Sequence, residues 1–162
     1  MIMKSAVIKG ENYQGFYNNV RIACRGIIIE DGKILTSYES VNNVYMLPGG
    51  GLEKGETKRK CCRRELKEET GYLVKPLKCA LKIIEYYGDY KYVTYYYSCK
   101  ICGKDLTSLT EQEKEVGLEP KWVEACELID IFSKYEQIKE KNIMCSGTYL
   151  KEYTALLNVL GK

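Results

Sequence analysis

Residues 47–71 read LPGGGLEKGETKRKCCRRELKEETG, and this stretch decides the fold. Its first five residues hold one proline and three glycines, which predict a break in regular structure. No Gly or Pro follows from Thr57 to Thr70. Thr57 is a favourable N-cap residue and Gly71 a favourable left-handed residue after a helix, so we predict a helix of roughly 13 residues between them.

Three carboxylates share one side of this predicted helix. Glu65, Glu68 and Glu69 stand at positions i, i+3 and i+4, a spacing that places side chains on one face. Their mutual repulsion costs roughly 0.2–0.5 kcal/mol per pair, and the helix dipole disfavours negative charge near a C-terminus. A divalent cation with oxygen ligands, Mg²⁺ or Mn²⁺, would compensate both effects. The charge pattern by itself also fits a solvated helix whose glutamates pair with neighbouring Lys and Arg.

The glycines just upstream favour the metal or phosphate interpretation. Without side chains, the backbone at Gly49, Gly50 and Gly51 can approach a phosphate or a metal closely with its amide and carbonyl groups. This stretch of backbone could therefore approach either group, and we predict that Gly50 and Gly51 bind substrate.

The composition narrows the chemistry further. The chain has 162 residues, 45% of them hydrophobic and 29% charged, which is typical of one globular domain over residues 1–162. It contains no histidine, so Ser-His-Asp and Cys-His nucleophile pairs, imidazole ligands and histidine bases are excluded. Twenty-two Asp and Glu residues and eight cysteines remain as the main sources of acid–base or metal chemistry.

Charge and hydropathy indicate which partners and which cellular compartment to expect. The net charge of +3 is mild and does not predict binding of duplex nucleic acid. No apolar run approaches the length of a membrane helix, and the apolar stretch within residues 1–10 is too short for a signal peptide. The eight cysteines are therefore expected as thiols in a reducing compartment, and we predict a cytoplasmic protein.

Strands are predicted before and after the helix. Residues 21–30 and 33–38 flank Asp31-Gly32, which is a good hairpin signal. Residues 73–87 and 90–102 read as two further strands around Gly88-Asp89. A polar loop over residues 104–119, a short strand at 121–123 and helices at 125–132 and 146–160 complete the prediction. This mixed order predicts an α/β or α+β sandwich.

The central stretch resembles the Nudix box. Gly50, then five residues, Glu56, then seven residues, precede Arg64-Glu65-Leu66-Lys67-Glu68-Glu69-Thr70-Gly71. Every position from Gly50 to Gly71 matches that pattern, and only Tyr72 departs from it, where a bulky aliphatic residue is usual. Pro48 and Trp122 also look like this family, so the resemblance covers most of residues 20–130.

The resemblance implies a fold and an activity. The fold is an α/β/α sandwich with a mixed central sheet and a loop–helix–loop catalytic motif. The activity is hydrolysis of a pyrophosphate bond in a nucleoside diphosphate derivative with Mg²⁺ or Mn²⁺. Carried over by position, Glu65, Glu68, Glu69 and the carbonyl of Gly49 would hold the metal. Arg64 would orient a box carboxylate, with Glu56 as its partner.

The residue that removes a proton from water is a separate question. Some relatives use a box glutamate and others a glutamate on a later loop. Here the polar loop before Trp122 offers Glu111, Glu113, Glu115 and Glu119. Glu115 is our prediction, on the basis of its distance in sequence from Trp122.

Two other classes of protein stay open at this point. A non-catalytic nucleotide-sensing module on the same fold would bind without hydrolysis, although the intact glutamates argue against it. A thiol-based metal or redox protein would use Cys99 and Cys102, but this lone CxxC lacks the second ligand pair of a structural zinc site. We expect a small-molecule nucleotide as the substrate and no membrane partner. A homodimer is common among relatives, but no feature of this sequence requires one.

Overall fold

The structure is a computed structural model, and it describes residues 3–161. Met1, Ile2 and Lys162 lie outside the described residues, so the predictions for the N-terminal stretch and for a domain over residues 1–162 extend beyond them. The elements in chain order are β1 (Lys4–Lys9), β2 (Asn19–Ile27), β3 (Ile29–Glu30), β4 (Lys33–Glu39), β5 (Val44–Met46), β6 (Gly49–Gly51), α1 (Lys58–Thr70), β7 (Tyr72–Tyr87), β8 (Tyr90–Lys104), α2 (Glu111–Glu115), β9 (Leu118–Glu124), α3 (Ala125–Ser133), α4 (Tyr135–Ile138) and α5 (Ile143–Leu160).

The central sheet has five strands in the order β1-β7-β8-β2-β6. It is mixed, because β1 with β7 and β8 with β2 run parallel, whereas β7 with β8 and β2 with β6 run antiparallel. In a second sheet, β4 pairs with β3, β5 and β9, always antiparallel. The predicted mixed α/β architecture is confirmed.

Two hydrophobic cores lie on opposite faces of the central sheet. Cys61, Cys62 and Leu66 of α1 pack against a core that includes Tyr97 of β8. The neighbouring Tyr96 belongs to the other core, together with residues of α3 and α5. Adjacent residues of a strand point to opposite faces, so consecutive tyrosines in β8 serve different layers. The helices therefore sandwich the sheet.

Several predictions of local structure are confirmed. Helix α1 begins after Thr57, whose side chain accepts a hydrogen bond from Lys60 N at 3.3 Å, and ends at Gly71, whose φ is +74°. The turn at Asp31-Gly32 joins β3 to β4, with φ values of +50° and +79°, as a type I′ hairpin requires. The long pair β7 and β8 is joined at Gly88-Asp89.

Other predictions were wrong in detail. Gly49–Gly51 forms the short strand β6, paired with residues 23–25 of β2, since an edge strand of three residues needs only backbone groups. Residues 21–30 divide into β2 and β3, which lie in different sheets. The polar loop contains α2, and α5 begins at Ile143 rather than Ser146 because Asn142 caps it. Strands β1 and β5 and helix α4 were not predicted. Within residues 3–161, no helix is long and apolar enough to cross a membrane.

Candidate active site

The carboxylates of α1 lie where the helix meets β6. Leu66, Cys61 and Cys62 are fully buried beneath the helix, and this apolar contact fixes the rotation of α1 about its axis. Glu65 and Glu69 then point toward the strand of glycines: a Cβ on Gly50 would overlap the Glu65 carboxylate, and Glu69 accepts a hydrogen bond from Gly49 N at 3.1 Å. Two of the three carboxylates predicted as metal ligands therefore lie beside β6.

Arg64 connects the carboxylates on the outer side of the site. Its Nε and Nη2 donate to the two oxygens of Glu56, both at 2.9 Å, which is a bidentate pair. Its Nη1 donates to Glu65 at 2.7 Å and to Glu68 at 3.2 Å. Nη2 also donates to Gly51 O at 3.0 Å. The predicted contact between Arg64 and Glu56 is present, and one guanidinium ties the glycine strand to three carboxylates.

Burial affects the carboxylates unequally. Glu69 is 8% exposed, and burial raises its pKa to about 7 although Ser37, Arg25 and Gly49 oppose the shift. Burial also raises the pKa of Glu65, which Arg64 counteracts. Glu68 is more accessible, with 35% of its side chain exposed. The site thus pairs an inner carboxylate, Glu69, with an outer one, Glu68.

The carboxylate and carbonyl oxygens of the site suit a hard cation, but the side chains are not arranged around one metal position. No group of three Asp, Glu or Cys side chains among residues 3–161 is arranged to hold a metal. In this arrangement Nη1 of Arg64 engages Glu65 and Glu68, and one oxygen of Glu69 is taken by Ser37 and Gly49. All available donors are oxygens, as Mg²⁺ and Mn²⁺ prefer. Glu65 and Glu68 each give only one oxygen to Arg64, and the metal role of these residues stays a prediction.

The structure distinguishes the loop glutamates. Helix α2 places Glu113 and Glu115 on opposite sides, since two residues span about 200° of a helix. Glu113 is half-buried and is close enough to Glu65 to contribute to the raised pKa of that carboxyl, after the larger effect of burial. Glu115 is exposed, and its side chain makes no hydrogen bond or ion pair that the structure of residues 3–161 records. Distance in sequence does not distinguish the two glutamates because the segment is helical, and Glu115 as the base stays a prediction.

Tyr72 fills the one position that departs from the box pattern. Its ring lies edge-on to Trp122, with centroids 6.0 Å apart, and it packs against the core beneath α1. Trp122 Nε1 donates to the Tyr72 hydroxyl at 3.2 Å. The tyrosine therefore keeps the apolar role of the usual aliphatic residue and adds a polar contact to β9.

The cysteines do not form a metal centre. Cys99 and Cys102 lie three residues apart on β8, and the pairing of β8 with β7 is irregular between Ile101 and Gly103. Cys99 Sγ lies 3.7 Å from Cys62 Sγ beneath α1, and Cys102 is exposed. All eight cysteines are free thiols.

Two residues of the site were not singled out in the sequence. The Ser37 hydroxyl donates to Glu69 at 2.5 Å, and Arg25 lies behind Gly49, where a Cβ would overlap the Arg25 backbone. Both lie in strands whose neighbours are largely apolar. A buried serine or arginine in such a strand is the signal that could have revealed them.

Comparison with known proteins identifies the family. The model of the NUDIX domain matches residues 20–144. A Caenorhabditis elegans protein named as a nudix hydrolase is 32% identical over 108 residues, which is 62% of this chain and 29% of that protein. An ADP-ribose pyrophosphatase from Methanocaldococcus jannaschii is 42% identical over 62 residues, or 36% of this chain and 37% of that protein.

A solved structure agrees with the fold. The NUDIX hydrolase from Nitrosomonas europaea aligns with a TM-score of 0.59 at 19% identity, over 85% of this chain and 90% of that one. The chain belongs to the Nudix hydrolase family. The matched segment spans less than half the length of either curated relative.

Proposed function

We propose that this chain hydrolyses a pyrophosphate bond in a nucleoside diphosphate derivative with the help of Mg²⁺ or Mn²⁺. The observation that carries the proposal is that Glu65 and Glu69 lie against the glycine strand β6 while Arg64 joins Glu68 to the same strand. Their carboxylates and the carbonyl of Gly49 would hold the cation. When bound, the cation supplies charge neutralisation for the phosphates and a more acidic water.

The other residues of the site position the carboxylates and keep the backbone of β6 accessible to the phosphates. Gly50 and Gly51 leave the edge of β6 free of side chains, so the phosphates can approach the backbone. Arg64 orients Glu65 and Glu68 through Nη1 while its other nitrogens remain paired with Glu56 and Gly51. Ser37 and Gly49 hold one oxygen of Glu69, which leaves the other oxygen for the cation.

Glu113, rather than Glu115, is our proposal for the group that accepts a proton from the attacking water. Its support is the side of α2 on which it lies and its electrostatic effect on Glu65. In the present arrangement the Glu113 carboxylate accepts a hydrogen bond from Thr110 N at the start of α2, at 2.7 Å. Glu113 would have to break this hydrogen bond before it could accept a proton from water.

Paired substitutions test the mechanism. Glu68→Gln and Glu69→Gln should lower metal-dependent turnover by orders of magnitude, whereas Glu111→Gln on the exposed side of α2 should not. Glu113→Gln should lower kcat by about 10²-fold or more if it is the base, with Glu115→Gln as the matched control. Circular dichroism would verify that each variant is folded. Wild-type turnover in both Glu68→Gln and Glu69→Gln would contradict the proposal.

The substrate panel should start from the names of the relatives. Because one relative is named an ADP-ribose pyrophosphatase, ADP-ribose is the first compound to assay, followed by nucleoside triphosphates, dinucleoside polyphosphates and nucleotide sugars. Binding without product release across this panel, with Mg²⁺ and with Mn²⁺, would favour a nucleotide-sensing module instead.

We further infer a reducing, cytoplasmic location from the eight free thiols, two of them exposed.

A further inference from the structure

A basic groove runs along the outer side of α1, between this helix and the strands β7 and β8. Two adjoining cavities of about 330 and 440 Å³ form it, and Arg63 lines both. The first cavity also contacts Lys60, Lys67 and Glu68, and the second contacts Arg59 and Lys75. The groove therefore starts beside the carboxylate site and continues away from it.

Arg64 and Lys67, which also line the first cavity, are paired with carboxylates, but three other cations of the groove lack acidic partners. Lys60, Arg63 and Lys75 form no salt bridge within the part of the chain that the structure describes. Lys75 is also paired in register with Lys100 on β8, and like charges directly opposite each other destabilise a strand pair. This concentration of positive charge is unfavourable unless an anion binds there.

The overall composition does not reveal the local positive charge of the groove. Acids and bases nearly balance over the whole chain, with 22 against 25, which is why the net charge gives no sign of a polyanion ligand. Around α1 the two signs are partly separated: Glu65 and Glu69 lie against β6, whereas Lys60, Arg63 and Lys67 line the groove, together with Glu68 at its end. A local field of this kind attracts polyanions even when the net charge is small.

The floor of the groove is apolar. Leu73 and Val74 lie in the first cavity and Pro76 in the second, and Leu73 is 42% exposed. An inorganic polyphosphate offers no apolar group to this floor, whereas a nucleic acid strand offers bases and sugars. Arg63 adds a guanidinium plane on which an unstacked base can lie.

The length of the groove fits a short segment of one strand. Arg59 and Glu68 are nine residues apart on α1, which corresponds to roughly 14 Å of helix. This distance accommodates a few nucleotides of one unpaired strand. We propose that the groove binds single-stranded nucleic acid, with phosphates on Lys60, Arg63 and Lys75 and bases or sugars against Leu73 and Pro76.

Binding can be measured without catalysis. Fluorescence anisotropy of a labelled single-stranded RNA, and of the same sequence as DNA, would be recorded in EDTA. Affinity should fall as salt rises, and Lys60→Glu and Arg63→Glu should each weaken binding about tenfold and reduce the salt slope by about 0.7 per lost phosphate contact. Lys141→Glu is the matched control, because Lys141 is exposed and does not line the groove.

Competitors identify the ligand class. A matched duplex and an inorganic polyphosphate of equal phosphate content should both bind more weakly than the single strand, because neither presents unpaired bases to the apolar floor. Equal or tighter binding of either competitor, or equal effects of Arg63→Glu and Lys141→Glu, would overturn the proposal.

Two exposed thiols provide a second, local readout. Cys102 lines the groove, while Cys126 lies on α3 outside it, and both are exposed. A bound strand should slow alkylation of Cys102 several-fold and leave Cys126 unchanged; equal rates with and without the strand would overturn the proposal. Neither readout depends on hydrolysis, so a protein that binds the strand but hydrolyses no nucleotide would contradict only the proposed function.

Discussion

The Nε atom of Arg25 lies 3.3 Å from Oε1 of Glu152, and this ion pair joins β2 to α5. Both side chains are largely buried, at 14% and 0% exposed. Arg25 also donates to the carbonyl of Leu47, two residues before Gly49. The pair therefore supports the chain segment that leads into the candidate active site from the opposite side of the sheet.

Glu152→Ala should be strongly destabilising. It leaves the Arg25 guanidinium buried without its counter-ion, and breaking a buried pair in this way costs about 3–5 kcal/mol. Urea unfolding would measure the change in the free energy of unfolding. Glu140→Ala, which removes an exposed carboxylate, should stay within about 0.5 kcal/mol of the wild type. Equal stabilities of the two variants would show that the pair contributes nothing.

Glu56 should make the free energy of unfolding depend on pH in the acid range. The hydrogen bonds from Arg64 hold the pKa of Glu56 below its ordinary value of 4.5. A carboxyl whose folded-state pKa is lowered stabilises the protein above pH 4.5, and this contribution is lost as the pH falls through the folded-state pKa. The stability difference between the wild type and Glu56→Gln should therefore be largest near neutral pH and shrink below pH 4.5.

Unfolding in urea across this pH range tests the Glu56 prediction. Glu119→Gln serves as the control, because Glu119 is exposed and its side chain has no recorded hydrogen bond within residues 3–161. A difference for Glu56→Gln that stays constant with pH, or that grows in acid, would contradict the assigned role of the pair with Arg64.

Gly50→Ala and Gly51→Ala should behave differently. A Cβ on Gly50 would overlap the carboxylate of Glu65, the mobile end of a flexible side chain, so the carboxylate must move while the fold remains. A Cβ on Gly51 meets only Arg21 Nη2 at 3.8 Å, an ordinary contact. We expect kcat to fall roughly tenfold or more for Gly50→Ala, with a near-normal melting temperature, whereas Gly51→Ala should raise KM and leave kcat nearly unchanged. Similar kcat values for the two variants would contradict the placement of Glu65.

Mg²⁺ or Mn²⁺ should stabilise the folded chain. At a free metal concentration of about ten times Kd, binding contributes about 1.4 kcal/mol, which raises the melting temperature by roughly 3–5 °C for a chain of this size. Differential scanning calorimetry with metal and then with excess EDTA measures the shift. Glu68→Gln should reduce it, and Glu111→Gln should retain it. A shift of the same size in both variants would place the metal elsewhere.

Much of the local structure could be predicted because it depends on local chemistry. Thr57 and Gly71 bound α1 through capping and a left-handed φ, and neither effect needs the rest of the chain. The type I′ turn at Asp31-Gly32 is equally local. The shared face of Glu65, Glu68 and Glu69 follows from helix geometry alone.

Other features depended on partners distant in sequence. Three glycines become a strand only because β2 supplies hydrogen-bonding groups beside them. The distinction between Glu113 and Glu115 needed the formation of α2, which places them on opposite sides of a helix. Neither the Ser37 contact to Glu69 nor the pair of Arg25 with Glu152 has a signal in local spacing, since their partners are 32 and 127 positions away.

The sequence by itself determined the helix, its row of carboxylates, the absence of histidine chemistry and the resemblance to the Nudix family, because spacing and composition define these features. Only the tertiary structure decided that Arg64 engages Glu56, Glu65 and Glu68 together, and that the cations of α1 collect in a groove with Lys75. The physical reason is that burial of Cys61, Cys62 and Leu66 fixes the rotation of α1 about its axis. That rotation turns Glu65 and Glu69 toward the glycines, and it turns Lys60 and Arg63 toward β7.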